Sequence, residues 1–97
     1  MREHEQKVLN KAIKIVDDTI NHALHEYDDK KTSCAYLEKS MTEMEGYLSI
    51  SYRFNGMTGS DYNEGLKMVA DYREEVTNRI AQYDKERTVW EKQNWKF

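Results

Sequence analysis

The sequence predicts an all-α protein, and three observations indicate this class. Proline is absent, glycine occurs only four times in 97 residues, and 34% of the residues are charged. Such a composition is typical of long helices and helical bundles. Apolar residues also recur every seven positions over most of the chain, as they do where amphipathic helices pack along a coiled-coil-like seam. We therefore expect a single helical domain over residues 1–97.

Composition also excludes several classes of protein. The net charge of −3 argues against a nucleic-acid-binding surface, which needs a clustered basic excess. A single cysteine, Cys34, excludes an internal disulfide and fits a small acidic protein made in the cytoplasm. No apolar run approaches the roughly 20 residues of a membrane span, and residues 1–25 contain no signal-peptide hydrophobic core.

The first half of the chain carries two columns of mostly apolar residues with a spacing of seven. They are Leu9, Val16, Ala23, Lys30, Leu37, Met44 and Ser51, and Ile13, Ile20, Tyr27, Cys34, Met41 and Leu48. The spacing continues through the polar residues 28–33, where a loop of arbitrary length would usually shift it. We therefore favour one helix over residues 3–54, about 75–80 Å long.

The alternative is a break near residues 28–33. Thr32 or Ser33 would then cap a new helix, and the chain would form a three-helix bundle.

Residues 55–60 form the predicted turn. Gly56 and Gly59 are expected to take the positive φ angles that end a helix and reverse the chain. Either would then cost about 1 kcal/mol or more to replace with Val. The next helix is expected to begin at Ser60 or Asp61, because Asp61 and Glu64 have the spacing of a capping box.

The second helix is predicted to reach about Gln93. One column with a spacing of seven runs through it: Tyr62, Val69, Val76, Tyr83 and Trp90. Gly65, one turn into this helix, is expected to tolerate Ala. With the first helix it would form an antiparallel helical hairpin.

A hairpin leaves the apolar residues before about Thr19 without a partner in their own chain, so another molecule should cover them. We expect that molecule to be another helical protein or a second copy. Aromatic residues before the turn and in the C-terminal tail are further candidates for the contact. The candidate partner-binding residues are Val8, Leu9, Ile13, Val16, Ile20, Tyr47, Tyr52, Phe54, Trp90 and Trp95.

No constellation of residues predicts catalysis, a cofactor or a metal. Asp18, His22 and His25 share one helix face, but their order lacks the spacing of zinc proteases. They are interpreted as a solvated polar face. Cys34 lies on an apolar column and is expected to be a small core residue, with no neighbouring base to activate it. We therefore predict a protein that is not an enzyme.

The turn also supports a resemblance to a known family. The tripeptide Phe54-Asn55-Gly56 sits mid-chain between two helices, and Tyr83 is followed by the acidic Glu86. In length and shape the chain resembles the WXG100/ESAT-6 class of small helical hairpins, which includes the helical partners of LXG-type toxins. In that class a Trp-x-Gly turn and a Tyr-xxx-Asp/Glu export signal stand at these places. Here Phe replaces Trp, and Glu86 follows Tyr83 by three residues rather than four.

The resemblance implies export through a type VII system without a cleavable leader, in a complex with a larger protein. The leading hypothesis is accordingly a non-enzymatic helical module that binds another protein. The alternative is a small regulatory or phage-type inhibitor that sequesters an enzyme or a nucleotide ligand.

Overall fold

The structure, a computed structural model, describes the backbone of residues 1–94 and the side chains of residues 1–87. This part of the chain forms three α-helices. Helix α1 spans Glu3–Tyr27, α2 spans Lys30–Phe54 and α3 spans Gly59–Asn94. The prediction of an all-α protein is confirmed.

Two consecutive aspartates form the joint between α1 and α2. Asp28 takes a left-handed conformation (φ 53°, ψ 36°), and its N–H donates to the carbonyl oxygen of Leu24 at 3.1 Å. The N–H of Asp29 donates to the carbonyl oxygen of Ala23 at 3.0 Å. The bond from Asp28 to Leu24 is that of an αL C-terminal motif, and the bond from Asp29 satisfies a further carbonyl group of the last turn. Asp29 then caps α2, because its Oδ1 accepts a hydrogen bond from the N–H of Thr32 at 2.9 Å.

The prediction of one uninterrupted helix over residues 3–54 is therefore wrong. The break lies within the polar run 28–33, at the place that the alternative prediction names. The spacing of seven survives it because only two residues separate the helices and both turn their apolar columns toward one core. A hydrophobic period indicates which residues share a core, but it does not show that the chain runs straight between them.

Helix α2 runs antiparallel to both neighbours, so α1 and α3 run parallel to each other. At one end of the molecule, Arg2 Nη1 donates to the carbonyl oxygen of Asn55 at 2.8 Å, which joins the start of α1 to the end of α2. At the other end, the hydroxyl of Tyr83 donates to Asp28 Oδ1 at 3.2 Å, which joins α3 to the end of α1.

One hydrophobic core lies between the helices. Burying each of its aliphatic side chains is worth roughly 1.5–3 kcal/mol, and most of them belong to the predicted columns. Its buried members are Leu9, Val16, Ile20 and Leu24 from α1, Leu37, Met41, Met44 and Leu48 from α2, Met57 from the turn, and Val69, Tyr72, Val76 and Ile80 from α3.

The turn between α2 and α3 covers residues 55–58, within the predicted segment. Gly56 has a φ of 74°, as expected, but Gly59 does not have a positive φ and is the first residue of α3. The helix therefore begins earlier than predicted. Thr58 caps it, since its Oγ1 accepts a hydrogen bond from the N–H of Asp61 at 3.1 Å.

Gly65 lies where α3 crosses α2 closely, and the expectation that it tolerates Ala is wrong. A Cβ built on Gly65 would lie 2.7 Å from Cδ2 and 3.1 Å from Cδ1 of Leu48. Leu48 is fully buried and has little room to move away. In α2, by contrast, a Cβ on Gly46 would meet no atom within 4 Å.

Candidate partner-binding site

Three of the predicted partner-binding residues lie in the core of their own chain. Leu9, Val16 and Ile20 are buried, so the prediction that they contact a partner is wrong in this structure. The physical reason is the joint at Asp28, which folds α2 back along the apolar stripe of α1. A second molecule is not needed to cover these side chains.

Val8 and Ile13 are both half-buried, but they lie on opposite sides of α1. Val8 lines a groove between α1 and α2. Ile13 lines a recess between α1 and α3, together with Met68 and Tyr72. The groove beside Val8 has one charged residue, Glu43, in its lining, whereas four charged residues line the recess beside Ile13: Glu64, Lys67, Asp71 and Glu75.

The aromatic candidates before the turn also separate into two groups. Tyr47 is half-buried and lines the groove between α1 and α2, and Phe54 is 77% exposed. Tyr52 instead faces α3, where its ring stacks on that of Tyr62 with centroids 4.9 Å apart. The side chain of Trp90 and the whole of Trp95 lie outside the described part of the chain.

The groove between α1 and α2 has a volume of about 260 Å³. Ile15 stands at its α1 edge and is 52% exposed. On α2, Ile50 is 55% exposed and follows Tyr47 by three residues, so the apolar row continues past the groove toward Phe54. We call this surface the α1–α2 face and define it by Val8, Ala12, Ile15, Tyr36, Tyr47, Ile50 and Phe54.

Ile15 and Ile50 are absent from the predicted site residues. Each lies off the columns with a spacing of seven, and an isoleucine at such a position of a charged helix is the signal that could have identified them. The packing of the helices then decides that both lie on the same side of the molecule. The sequence does not contain that information in any local pattern.

Cations at the edges of the α1–α2 face have no acidic partner. Within the described side chains, Lys11, Lys39 and Arg53 form no ion pair, whereas Arg73 and Arg79 pair with carboxylates of neighbouring helices. Lys11 is three residues after Val8 and four before Ile15, and Lys39 is three residues after Tyr36, so both flank the apolar row. The edge of this face therefore carries two cations, while Glu43 lines the groove between them.

The opposite side of α1 meets α3 through polar groups. Asp17 Oδ1 accepts hydrogen bonds from Arg79 Nη1 at 2.5 Å and from the hydroxyl of Tyr72 at 3.0 Å. Arg79 also donates to Asn21 Oδ1 at 3.1 Å and pairs with Glu75 at 3.0 Å. We call Asp17, Asn21, Tyr72, Glu75 and Arg79 the α1–α3 network.

Electrostatics tie this network together. Partial burial opposes ionisation of Asp17, but the hydrogen bonds from Arg79 and Tyr72 outweigh it and hold the pKa of this carboxyl below its usual value. Burial and the bond to Asp17 raise the pKa of the Tyr72 hydroxyl, which therefore stays protonated and donates. The Asp17–Arg79 pair is thus charged at neutral pH and fixes the side of α1 that faces α3.

The residues considered for metal binding or nucleophilic chemistry are not brought together. His22 packs edge-on against Tyr27 and His25 against Tyr83, with centroids 5.3 and 5.4 Å apart. Cys34 is exposed, so the expectation that it is a core residue is wrong. Within the described residues no three His, Cys, Asp or Glu side chains are placed to hold a metal ion.

No helix in the described part of the chain is long and apolar enough to cross a membrane.

Comparison of the chain with protein-family models, curated proteins and solved structures gives no match.

Proposed function

We propose that the protein is a non-enzymatic module that binds a helix of a larger protein on its α1–α2 face. One observation carries the proposal. Ile15, Ile50 and Phe54 are 52%, 55% and 77% exposed. Ile15 lines the groove from α1, and Ile50 and Phe54 follow the groove residue Tyr47 by three and seven residues, a helical spacing that places them on the same side of α2. A contiguous apolar surface of this kind is typical of a contact site on a soluble protein.

The shape of the face favours a helical partner. Two antiparallel helices border a groove, with half-buried Val8, Ala12 and Tyr47 as its floor. An amphipathic helix can lay an apolar stripe into such a groove, with contacts at a spacing of three and four residues. Tyr47 offers a large ring that is already partly fixed by its neighbours, as aromatic anchors of interfaces often are.

Charge favours a partner helix with acidic flanks. Lys11 and Lys39 stand beside the apolar row without an ion pair among the described residues. Acidic side chains on both sides of the partner's apolar stripe would meet these cations at the edge of the contact. Pairs at an exposed edge contribute mainly to orientation and association rate rather than to affinity.

Affinity purification from the native source tests the proposal. Wild type should recover a partner that Ile15→Asp loses, because the substitution places an unpaired charge in the apolar row. Asn78→Asp adds the same charge on the exposed side of α3 and should recover the partner as wild type does. Circular dichroism should show all three proteins equally helical. Equal recovery by wild type and Ile15→Asp would remove the α1–α2 face from the proposal.

We further propose that the partner belongs to a type VII-like export system. The support is the Phe54-Asn55-Gly56 tripeptide, which spans the end of α2 and the turn, with Gly56 at a φ of 74° and the Phe54 ring exposed. The protein should then appear in the culture medium of the native source, and deletion of the gene of the purified partner should remove it. A partner that is never exported would contradict this part of the proposal.

A further inference from the structure

A polar recess adjoins the groove between α1 and α2, near the start of α1. It has a volume of about 360 Å³ and is lined by Arg2, His4, Glu5, Tyr47, Ser51 and Asn55. We call this space the Arg2 recess. Because Tyr47 also lines the groove, the two spaces meet along α2. A helix that occupies the groove would therefore have one end beside the Arg2 recess.

The hydroxyl of Ser51 faces this recess without a partner. Ser51 is 2% exposed, and its Oγ forms no hydrogen bond with a described residue. The buried Ser33 of the same helix differs, since its Oγ donates to the carbonyl oxygen of Asp29 at 2.8 Å. No enclosed side-chain nitrogen or oxygen of the described residues lacks a partner, so the Ser51 hydroxyl is open to the Arg2 recess. A hydroxyl so nearly removed from water is stabilised by any group that bonds to it there.

Arg2 keeps unused donors at the same recess. Its Nε and Nη2 donate to the two carboxylate oxygens of Glu5, and its Nη1 donates to the carbonyl oxygen of Asn55 at 2.8 Å. A guanidinium has five N–H donors, so two of them have no acceptor among the described residues. The side chain is 40% exposed, and its three bonds hold it in place. Arg2 is thus positioned before any ligand binds.

The charges around the Arg2 recess favour an oxygen anion. The charges of Arg2 and Glu5 cancel, and both Glu5 oxygens already accept bonds from Arg2. The first turn of α1 adds the positive end of a helix. Its N-cap residue provides no side-chain cap, and the N–H groups of Glu3 and His4 donate to no described group. Hydrogen-bond donors therefore outnumber free acceptors in these surroundings, as they do in anion sites at helix N-termini.

We infer that the Arg2 recess is an anion subsite that takes a carboxylate of the helix bound on the α1–α2 face, an inference that rests on the proposed function for the source of that carboxylate. Arg2 and the Ser51 hydroxyl donate to its oxygens, and such charge-assisted bonds are stronger than neutral ones. Glu43 lines the groove eight residues before Ser51 and repels a carboxylate placed beside it. Attraction at one end and repulsion farther along fix the direction in which the partner helix lies.

Acetate tests the subsite by itself, because it presents a carboxylate without a partner helix. Wild type near neutral pH is titrated with sodium acetate and followed by amide NMR, with sodium chloride at equal ionic strength as the reference. Acetate should shift the signals of His4 and Ser51, which border the Arg2 recess, more than that of Asn78 on the exposed side of α3. Shifts at His4 and Ser51 no larger with acetate than with chloride would overturn the inference.

Two substitutions identify the donors. Ser51→Ala should weaken acetate binding about fivefold, because it removes one hydrogen-bond donor. Arg2→Lys keeps the charge but loses the planar fork, so it should weaken binding about tenfold. Ser49→Ala, on another side of α2, is the matched control and should bind acetate as wild type does. A Ser51→Ala variant that binds acetate as tightly as wild type would also overturn the inference.

The purified partner distinguishes its own carboxylate from a free anion. Ser51→Ala should weaken partner binding about fivefold in calorimetry, and Ser49→Ala should leave it unchanged. If acetate binds but Ser51→Ala leaves the partner affinity unchanged, the assignment of the subsite to the partner is overturned. Failure of the proposed function gives a different result, because Ile15→Asp then recovers the partner as wild type does while acetate still binds at the Arg2 recess.

Discussion

Helix α1 meets its two neighbours through different chemistry. Against α2 it buries aliphatic side chains, and in the described structure the hydrogen bond from Arg2 to Asn55 is the one polar side-chain link between these elements. Against α3 it places the α1–α3 network, with Asp17 bonded to both Arg79 and Tyr72. The side of α1 that packs on α2 thus stabilises the fold by apolar burial. The side that packs on α3 is oriented by specific hydrogen bonds and ion pairs.

The difference also explains where apolar surface remains. Polar groups close the edge of α1 that faces α3, because hydrogen-bonding side chains reach across the gap. On the edge that faces α2, no side-chain hydrogen bond between the described residues of the two helices covers the groove, and Ile15 and Ile50 stay about half exposed. The interface that depends on apolar packing is thus the one that leaves apolar groups for a partner.

The largest expected difference in stability is between substitutions at the buried Ile20 and at the exposed Ile15 of α1. Ile20→Ala should lower the free energy of unfolding by about 2–5 kcal/mol, because Ile20 is fully buried and the substitution leaves a cavity. Ile15→Ala should change it by about 0.5 kcal/mol or less. Urea unfolding of the two variants measures both values. A cost at Ile15 equal to that at Ile20 would show that the α1–α2 face is part of the core.

Replacing each of the two mid-helix glycines with Ala should change the stability by a smaller amount, and the two changes should have opposite signs. Gly65→Ala should cost about 1–3 kcal/mol, since the new methyl group overlaps the buried Leu48 side chain. Gly46→Ala should gain up to about 1 kcal/mol, because it stiffens α2 in open space. Thermal unfolding of both variants checks the signs. A stabilised Gly65→Ala variant would mean that α2 and α3 are farther apart than the structure places them.

The α1–α3 network should contribute less to the free energy of unfolding than the core does, and its contribution should depend on pH. Asp17→Ala should cost about 1–2 kcal/mol at pH 7, where the carboxylate accepts bonds from Arg79 and Tyr72. The pKa of Asp17 is lower in the folded chain than its usual value of 3.8, so its stabilisation is present above pH 3.8 and is lost as the pH falls through the folded pKa. Urea unfolding of wild type and variant between pH 7 and pH 2 should show the difference shrinking only in acid. A constant difference would rule out ionisation as its source.

Much of the fold could be predicted from the sequence. The columns with a spacing of seven identify most of the core, from Leu9 in α1 to Val76 in α3, because burial follows the period of an amphipathic helix. The turn at Gly56 follows from the need for a positive φ. These features depend on local pattern and local backbone chemistry.

The path of the chain could not be predicted in the same way. A two-residue joint at Asp28 leaves the period intact, so the hydrophobic pattern is the same for one helix and for two. Because of this ambiguity, the sequence predicts Leu9, Val16 and Ile20 as part of a contact surface, whereas the structure buries them in the core. Gly65 carried a usable signal, since a glycine four residues before Val69 lies on the buried side of α3 and indicates close approach.

The central claim is that a partner binds on the α1–α2 face. The methyl NMR signals of the five isoleucines test it most directly, because these residues lie on the face, in the core and beside α3. Ile15 and Ile50 lie on the α1–α2 face, Ile20 and Ile80 are buried, and Ile13 lies beside α3. With isoleucine methyl groups labelled for NMR, titration of the purified partner should shift or broaden Ile15 and Ile50 most, with smaller changes at the other three. Strong changes at Ile13 or Ile80, with Ile15 and Ile50 unmoved, would contradict the assignment of the α1–α2 face as the binding site.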